Sequence, residues 1–195
     1  GLVLGFAFDF ELSEQSFRAA LARDPACALC AWGVAWSIGP NINQPGRGER
    51  LDEAREFTRR ALALAAKATP REQGLIHALA VRYEVDPAAG GPAGAADPAA
   101  AFGAASTTPD PKLAPPDFRC VTRAPTGETD PRDLAYAQAM ARLAARFPDD
   151  DDLATLHAEA VLMLAPWDWW SGGRPREGTL LAVETLEAVL ARNPR

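Results

Sequence analysis

Residues 16–25, SFRAALARDP, carry the pattern on which the architecture rests. Their alanines and their leucine follow helical spacing, and the Asp-Pro pair ends the helix. Similar endings close three later helices, at Pro70, Pro148 and Pro194. The intervals between the four closing prolines are 45, 78 and 46 residues. A helix ending that recurs in this way predicts a repeat of similar helical units.

The composition agrees with a helical, globular chain. Of 195 residues, 48% are apolar, 24% are charged and 41 are alanine, which favours helix over sheet. The formal net charge of −6 disfavours nucleic acid as the main partner, because contacts with phosphate need a basic surface. No run of 18 apolar residues occurs, so we expect no insertion into a membrane.

Hydrophobic spacing and turn residues divide the chain into helices and loops. The predicted helices cover residues 1–8, 11–23, 26–38, 50–67, 70–84, 131–146, 151–164 and 178–192. Loops rich in Pro, Gly, Asn and Trp occupy 39–49 and 165–177. The stretch 86–129 holds 8 of the 17 prolines and few large apolar residues, so we expect a flexible insertion within a single domain, 1–195.

The proline intervals match one known repeat length. Without the 44 residues of the insertion, the middle interval falls to 34 residues, which is the length of a tetratricopeptide repeat. The other two intervals exceed 34 by 11 and 12 residues, and each contains one of the two loops. The predicted fold is therefore all-α, an α–α superhelix of about four helix pairs that share a continuous core.

Four blocks of sequence carry a resemblance to a known family: 16–20 (SFRAA), 24–33 (DPACALCAWG), 39–43 (GPNIN) and 166–170 (PWDWW). Through these blocks the chain resembles bacterial tetratricopeptide-repeat (TPR) proteins, in particular an exported subgroup whose biochemical role is not defined. The resemblance implies a TPR-like solenoid in the periplasm or the medium, whereas the residues themselves leave a cytoplasmic protein open. It also implies a histidine in place of Phe10 and a further helix with His and Tyr after the last proline. Because both are missing, we expect more chain beyond the ends.

The sharpest local feature is the pair Cys27 and Cys30 at a predicted helix start. Three interpretations remain open for it. The two thiols lie on one helix face and can be structural cysteines, buried or joined in a disulfide. They can also bind a soft metal ion such as Cu(I) or Zn(II), or act as a redox pair, because a helix N-terminus favours thiolate. The third cysteine, Cys120, falls in the predicted insertion, where we expect an exposed thiol without a role.

Two loops carry candidate contacts with a partner. The candidate residues are Trp167, Asp168, Trp169 and Trp170 in one loop and Asn41 and Asn43 in the other. Exposed indoles are common anchors of protein interfaces, and the alternative is that two of the three rings fold back onto the last helices. The asparagine amides can bind a peptide backbone or simply cap their own loop.

Recognisable catalytic motifs are missing from the sequence: it has no Gly-rich phosphate loop, no G-x-S-x-G and no H-E-x-x-H. His77 and His157 fall on predicted helix faces, and the acidic run 149–152 fits a helix start. We therefore expect a non-catalytic scaffold that binds a protein or peptide and needs no cofactor. One alternative is a metal-handling or redox protein of the cell envelope that uses Cys27 and Cys30. Another is an enzyme whose carboxylates, with raised pKa values, meet in a groove.

Overall fold

The computed structural model describes residues 1–43, 50–86 and 129–194. In these ranges the protein is all-α apart from a short hairpin, as the composition predicts. The helices are α1 (Leu2–Phe6), α2 (Phe10–Arg23), α3 (Ala28–Ser37), α4 (Leu51–Leu64), α5 (Pro70–Tyr83), α6 (Pro131–Arg146), α7 (Asp151–Leu162) and α8 (Thr179–Arg192). A 3₁₀ turn, Ala65–Lys67, follows α4 directly. With that turn counted as part of α4, the helix bounds agree with the predicted ones to within two residues.

Some predictions fall on residues that the structure does not describe. The predicted insertion, 86–129, lies outside the described residues except for Asp86 and Thr129, and so does Cys120. The predicted loop 39–49 is described as far as Asn43. The flexible insertion and the single domain over 1–195 therefore stay predictions.

Capping residues explain where the helices begin. The Thr69 hydroxyl accepts a hydrogen bond from the Glu72 amide, and the Glu72 carboxylate accepts one from the Thr69 amide, with Pro70 at the first helical position. This capping box satisfies amides that have no partner within α5. At the start of α7, the Asp150 carboxylate accepts from the Leu153 amide. The interpretation of the acidic run 149–152 as a helix start is thus confirmed.

The helices pack in chain order. Each one from α1 to α8 packs against the next, and α3 also packs against α5. This arrangement buries an apolar cluster that extends from Leu21 in α2 to Ala160 in α7. In the described part of the chain, none of the helices combines the length and the apolar character needed to cross a bilayer.

Aromatic rings fill the space around α3. The indoles of Trp32 and Trp36 stack with their centroids 5.7 Å apart, and both side chains are buried. The ring of Phe17 in α2 meets Trp32 edge to face at 6.5 Å, and that of Phe10 meets Trp36 at 5.9 Å. Rings at these distances attract each other beyond the gain from burial alone. The aromatic cluster therefore fixes α3 against α2.

A short hairpin corrects the prediction of a loop over 165–177. Strands β1 (Trp170–Ser171) and β2 (Arg174–Pro175) pair in antiparallel fashion. Gly172 and Gly173 form the two-residue turn between them, with φ of +57° and +77°. A tight hairpin turn needs this left-handed backbone, and glycine adopts it without strain. Two-residue strands are too short to show alternation of apolar and polar residues, so hydrophobic patterning does not reveal them.

Candidate functional site

A pocket of about 640 Å³ opens beside α7, between α6 and α8. The segment that joins α7 to α8 closes one side of it. The lining residues that decide its chemistry are Leu134, Gln138, His157, Val161, Asp168 and Leu181. A volume of this size lies within the range of ligand-binding pockets in proteins.

Helical spacing brings the lining residues onto shared faces. On α6, Leu134 and Gln138 are four residues apart, and on α7 the same spacing separates His157 from Val161. Leu134 and, on α8, Leu181 remain nearly half exposed. The pocket therefore offers apolar surface that a ligand can remove from water.

Most polar groups of the pocket are uncharged or paired, and Glu177 adds a carboxylate to the lining. Burial lowers the pKa of His157, so its imidazole is neutral at pH 7. The Arg176 guanidinium lies 2.6 Å from the Asp168 carboxylate and balances its charge. The amide of Gln138 can both donate and accept a hydrogen bond. Apart from the Glu177 carboxylate, the pocket thus suits an apolar group that carries neutral hydrogen-bonding atoms.

Trp169 holds the segment between α7 and α8 in place. Its indole N–H donates to the Leu162 carbonyl at 2.9 Å. Its own carbonyl accepts from the Thr179 hydroxyl at 2.9 Å and from the Arg176 amide at 2.8 Å. The Trp169 ring therefore folds back onto the helices, which was the alternative to an exposed contact with a partner.

Trp167 and Trp170 instead present their rings to solvent, with 49% and 54% of each residue exposed. The Trp167 ring lies against that of Trp169, with 5.5 Å between centroids. The Trp167 backbone has a φ of +63°, a left-handed conformation that costs a non-glycine residue about 1 kcal/mol. Its neighbours on both sides, Pro166 and Asp168, line the pocket. A strained backbone therefore holds an exposed indole beside the pocket.

Asn41 and Asn43 do not line this pocket. Asn41 is buried, and its side-chain oxygen accepts from the Asn43 amide at 2.9 Å. This hydrogen bond closes a turn within the loop, so Asn41 caps its own loop as one of the two interpretations predicts. A contact between the Asn43 side chain and a partner stays a prediction.

Cys27 and Cys30 are joined by a disulfide. Cys27 caps α3, and its sulfur accepts a hydrogen bond from the Cys30 amide at 3.1 Å. Across residues 1–43, 50–86 and 129–194, no three His, Cys, Asp or Glu side chains gather as a metal site requires. Sulfurs bonded to each other are not thiolate ligands, so metal binding by this pair stays a prediction for the reduced protein.

A buried polar cluster between α5, α6 and α7 was not predicted. Arg82 is fully buried, its Nε donates to the Asp133 carboxylate at 3.0 Å, and its guanidinium lies 4.7 Å from the Tyr136 ring centre. Glu159 of α7 interacts electrostatically with Arg82 and Asp133. Among the described residues, neither its Oε2 nor the Tyr136 hydroxyl has a hydrogen-bond partner, and both atoms are buried.

The sequence does contain a signal for this cluster. Arg82 stands three residues after Leu79, and Glu159 stands three after Leu156, so both charges fall on the core side of their helices. Charges at such positions are rare unless they are paired. Burial raises the pKa of Glu159 to about 7, although the attraction of Arg82 opposes the rise. Glu159 does not line the pocket, so this raised pKa belongs to the interior and not to the pocket.

Comparisons of the chain with protein-family models, with curated proteins and with solved structures found no match. The resemblance to tetratricopeptide-repeat proteins therefore stays a proposal. Function is inferred from the residues of this chain and from their geometry.

Proposed function

We propose that this protein is a non-catalytic scaffold, a TPR-like α–α superhelix, which binds a peptide segment of a partner protein. Its helix pairs are α1 with α2, α3 with α4, α5 with α6, and α7 with α8. The packing supports this architecture, because each helix contacts its neighbours in the chain and α3 also contacts α5. Contacts between successive units are typical of stacked repeats.

The observation that carries the binding role is the exposed indole of Trp167 beside the pocket. Tryptophan is enriched among the residues that dominate binding energy at protein interfaces. Its strained backbone and its exposed ring both cost the free protein stability. A role in binding accounts for both costs, because a partner that covers the ring removes it from water.

The pocket determines the chemistry of the peptide. Leu134, Val161 and Leu181 form apolar walls that suit a large apolar side chain. Gln138 and the neutral imidazole of His157 can bond to the N–H and C=O groups of the peptide backbone. We therefore expect peptides with closely spaced large apolar residues and no acidic residue between them, since the Glu177 carboxylate also lines the pocket.

A displayed library of random peptides, selected on the full chain, tests this proposal. Enriched peptides are titrated against the wild type and two matched variants, Leu181→Asp and Leu190→Asp. Both leucines are exposed on α8, at 49% and 63%, but Leu181 lines the pocket and Leu190 does not. Leu181→Asp should weaken binding by about tenfold or more, because it places a charge against apolar surface. Leu190→Asp should bind like the wild type.

Circular dichroism checks that both variants keep their helices. We expect that they do, because substitutions at exposed sites usually change stability little. A selection that enriches no peptide contradicts the proposal. So does an equal loss of binding in the two variants, because the peptide would then not occupy the pocket.

A further inference from the structure

The disulfide between Cys27 and Cys30 occupies the first turn of α3. Cys27 is the N-cap residue, and its Sγ accepts a hydrogen bond from the Cys30 amide at 3.1 Å. The first amides of a helix have no partner within the helix, and they form the positive end of its dipole. In the reduced protein the same amide can therefore hold a Cys27 thiolate.

The charges beside this turn also favour a thiolate. Arg60 of α4 donates to the Pro25 carbonyl at 3.0 Å, so a guanidinium lies against the residues that precede Cys27. The Asp24 carboxylate opposes it, but one of its oxygens already accepts from the Ala26 amide at 3.0 Å. A nearby cation and a helix N-terminus are the two features that most often activate cysteine thiols in proteins.

A partner can approach the disulfide from the exposed turn that precedes it. Cys27 and Cys30 are both partly exposed, and residues 22–26 immediately before them are exposed. The buried core of α3 lies on the other side of the helix, where Ala31 and Trp32 pack. The bond therefore lies at the boundary between the core, which Cys30 contacts, and the exposed turn before Cys27.

The short spacing also argues against a mainly structural role. A bond across four residues restricts the unfolded chain far less than a bond across a long loop does. The aromatic contacts of Trp32 and Trp36 fix α3 independently of the disulfide.

We propose that Cys27–Cys30 is a redox-active disulfide that exchanges with a dithiol of a partner protein, an activity independent of peptide binding. One partner thiolate attacks Cys27 Sγ, the Cys27–Cys30 bond breaks, and Cys30 leaves as a thiolate that takes up a proton. The second partner thiolate then attacks the partner's sulfur in the mixed disulfide, and Cys27 leaves as the thiolate that the Cys30 amide holds. The partner gives up two electrons and gains a disulfide, and this protein becomes the dithiol.

Alkylation of reduced single-cysteine variants with iodoacetamide tests the proposal. In a Cys120→Ser background, Cys30→Ser leaves Cys27 as the reacting thiol, and Cys27→Ser leaves Cys30. Serine in place of Cys27 can still cap α3, and serine differs little in size from Cys30, so both variants should fold, which circular dichroism checks. At pH 7, folded Cys27 should react about threefold faster than the same thiol in urea, because more thiolate is present although each thiolate is less nucleophilic. Folded Cys30 should react no faster than in urea.

Two further measurements separate redox activity from a structural crosslink. Arg60→Gln should slow the alkylation of Cys27 at pH 7 and move its pH profile to higher pH, without affecting Cys30. Dithiothreitol, used as the dithiol, should open the wild-type disulfide while the helices remain folded. The proposal is overturned if Cys27 reacts no faster in the folded protein than in urea, or if the disulfide opens only after the protein unfolds.

Discussion

Tryptophans occupy opposite environments in two regions of this molecule. Around α3, Trp32 and Trp36 are 2% and 4% exposed and contact rings from α1 and α2. Between α7 and α8, Trp167 and Trp170 leave about half of their surface in water. The same side chain therefore stabilises the fold in one region and offers a contact surface in the other.

The interiors also differ between the half of the fold that contains the first region, α1–α4, and the half that carries the second, α5–α8. Both halves bury apolar side chains, and α1–α4 also bury the hydroxyls of Ser13, Ser37 and Thr58. The helices α5–α7 additionally bury charged groups, the ion pair of Arg82 and Asp133 beside Glu159. Burying charged groups is costly even when they are paired. We infer that the first region is the stable base of the fold and the second the more adaptable part, which suits a binding pocket.

Trp32→Ala tests the first side of this contrast and should have the largest effect. It removes a buried indole and its contacts with Phe17 and Trp36, so the free energy of unfolding should fall by about 3–5 kcal/mol. Urea denaturation followed by circular dichroism measures the loss. In the matched control, Trp167→Ala, the change should stay at about 1 kcal/mol, because half of that residue is exposed and the contact with Trp169 is the main loss. Equal losses in the two variants would remove the contrast.

Gly33→Ala tests the same aromatic region with a single methyl group. A Cβ at this position would lie 2.3 Å from the Phe17 ring, so the ring or the helix must shift. Such overpacking should cost about 3 kcal/mol of unfolding free energy. The control is Gly173→Ala in the hairpin, where no described atom lies within 4 Å and the φ of +77° alone costs about 1 kcal/mol. Urea denaturation measures the stability of both variants. If Gly33→Ala is not clearly less stable than Gly173→Ala, the packing around Phe17 is loose and the prediction is wrong.

The helices were predictable because their signals are local. The start of α5 follows from Thr69-Pro70-Arg71-Glu72, in which both partners of the capping box lie within four residues. The hairpin at 170–175 was missed although Gly172 and Gly173 mark a turn, since its strands are too short to carry a pattern.

The candidate site was predictable only in part, because a pocket depends on the packing of distant segments. Trp167 and Asp168 are conspicuous within their own loop. His157 and Gln138 have no local feature that sets them apart, and they come together only when α6 packs on α7. Likewise, Arg82 and Asp133 are 51 residues apart, and no local spacing rule pairs them.

Glu159→Gln tests the polar interior of the second region through the pH dependence of stability. Burial raises the pKa of Glu159 to about 7, whereas an unfolded glutamate has a pKa of about 4.3. Between these values the folded protein keeps a proton that the unfolded chain has released, so wild-type stability falls as the pH rises. Glutamine cannot ionise and lacks this dependence. From pH 5 to pH 8 the wild type should therefore lose about 2–3 kcal/mol relative to Glu159→Gln.

Urea denaturation at several pH values between 5 and 8 measures this difference. Hydrogen bonds from arginines lower the pKa values of Glu53 and Asp150, so their stabilisation is lost only in more acidic solution, below this range. Burial lowers the pKa of His157, which makes stability rise with pH, but it does so equally in both proteins. A difference that stays constant across the range would mean that Glu159 ionises as a surface carboxylate does. Glu159 would then add no cost to the interior of α5–α7, and the greater adaptability of the second region would rest on the buried Arg82–Asp133 pair alone.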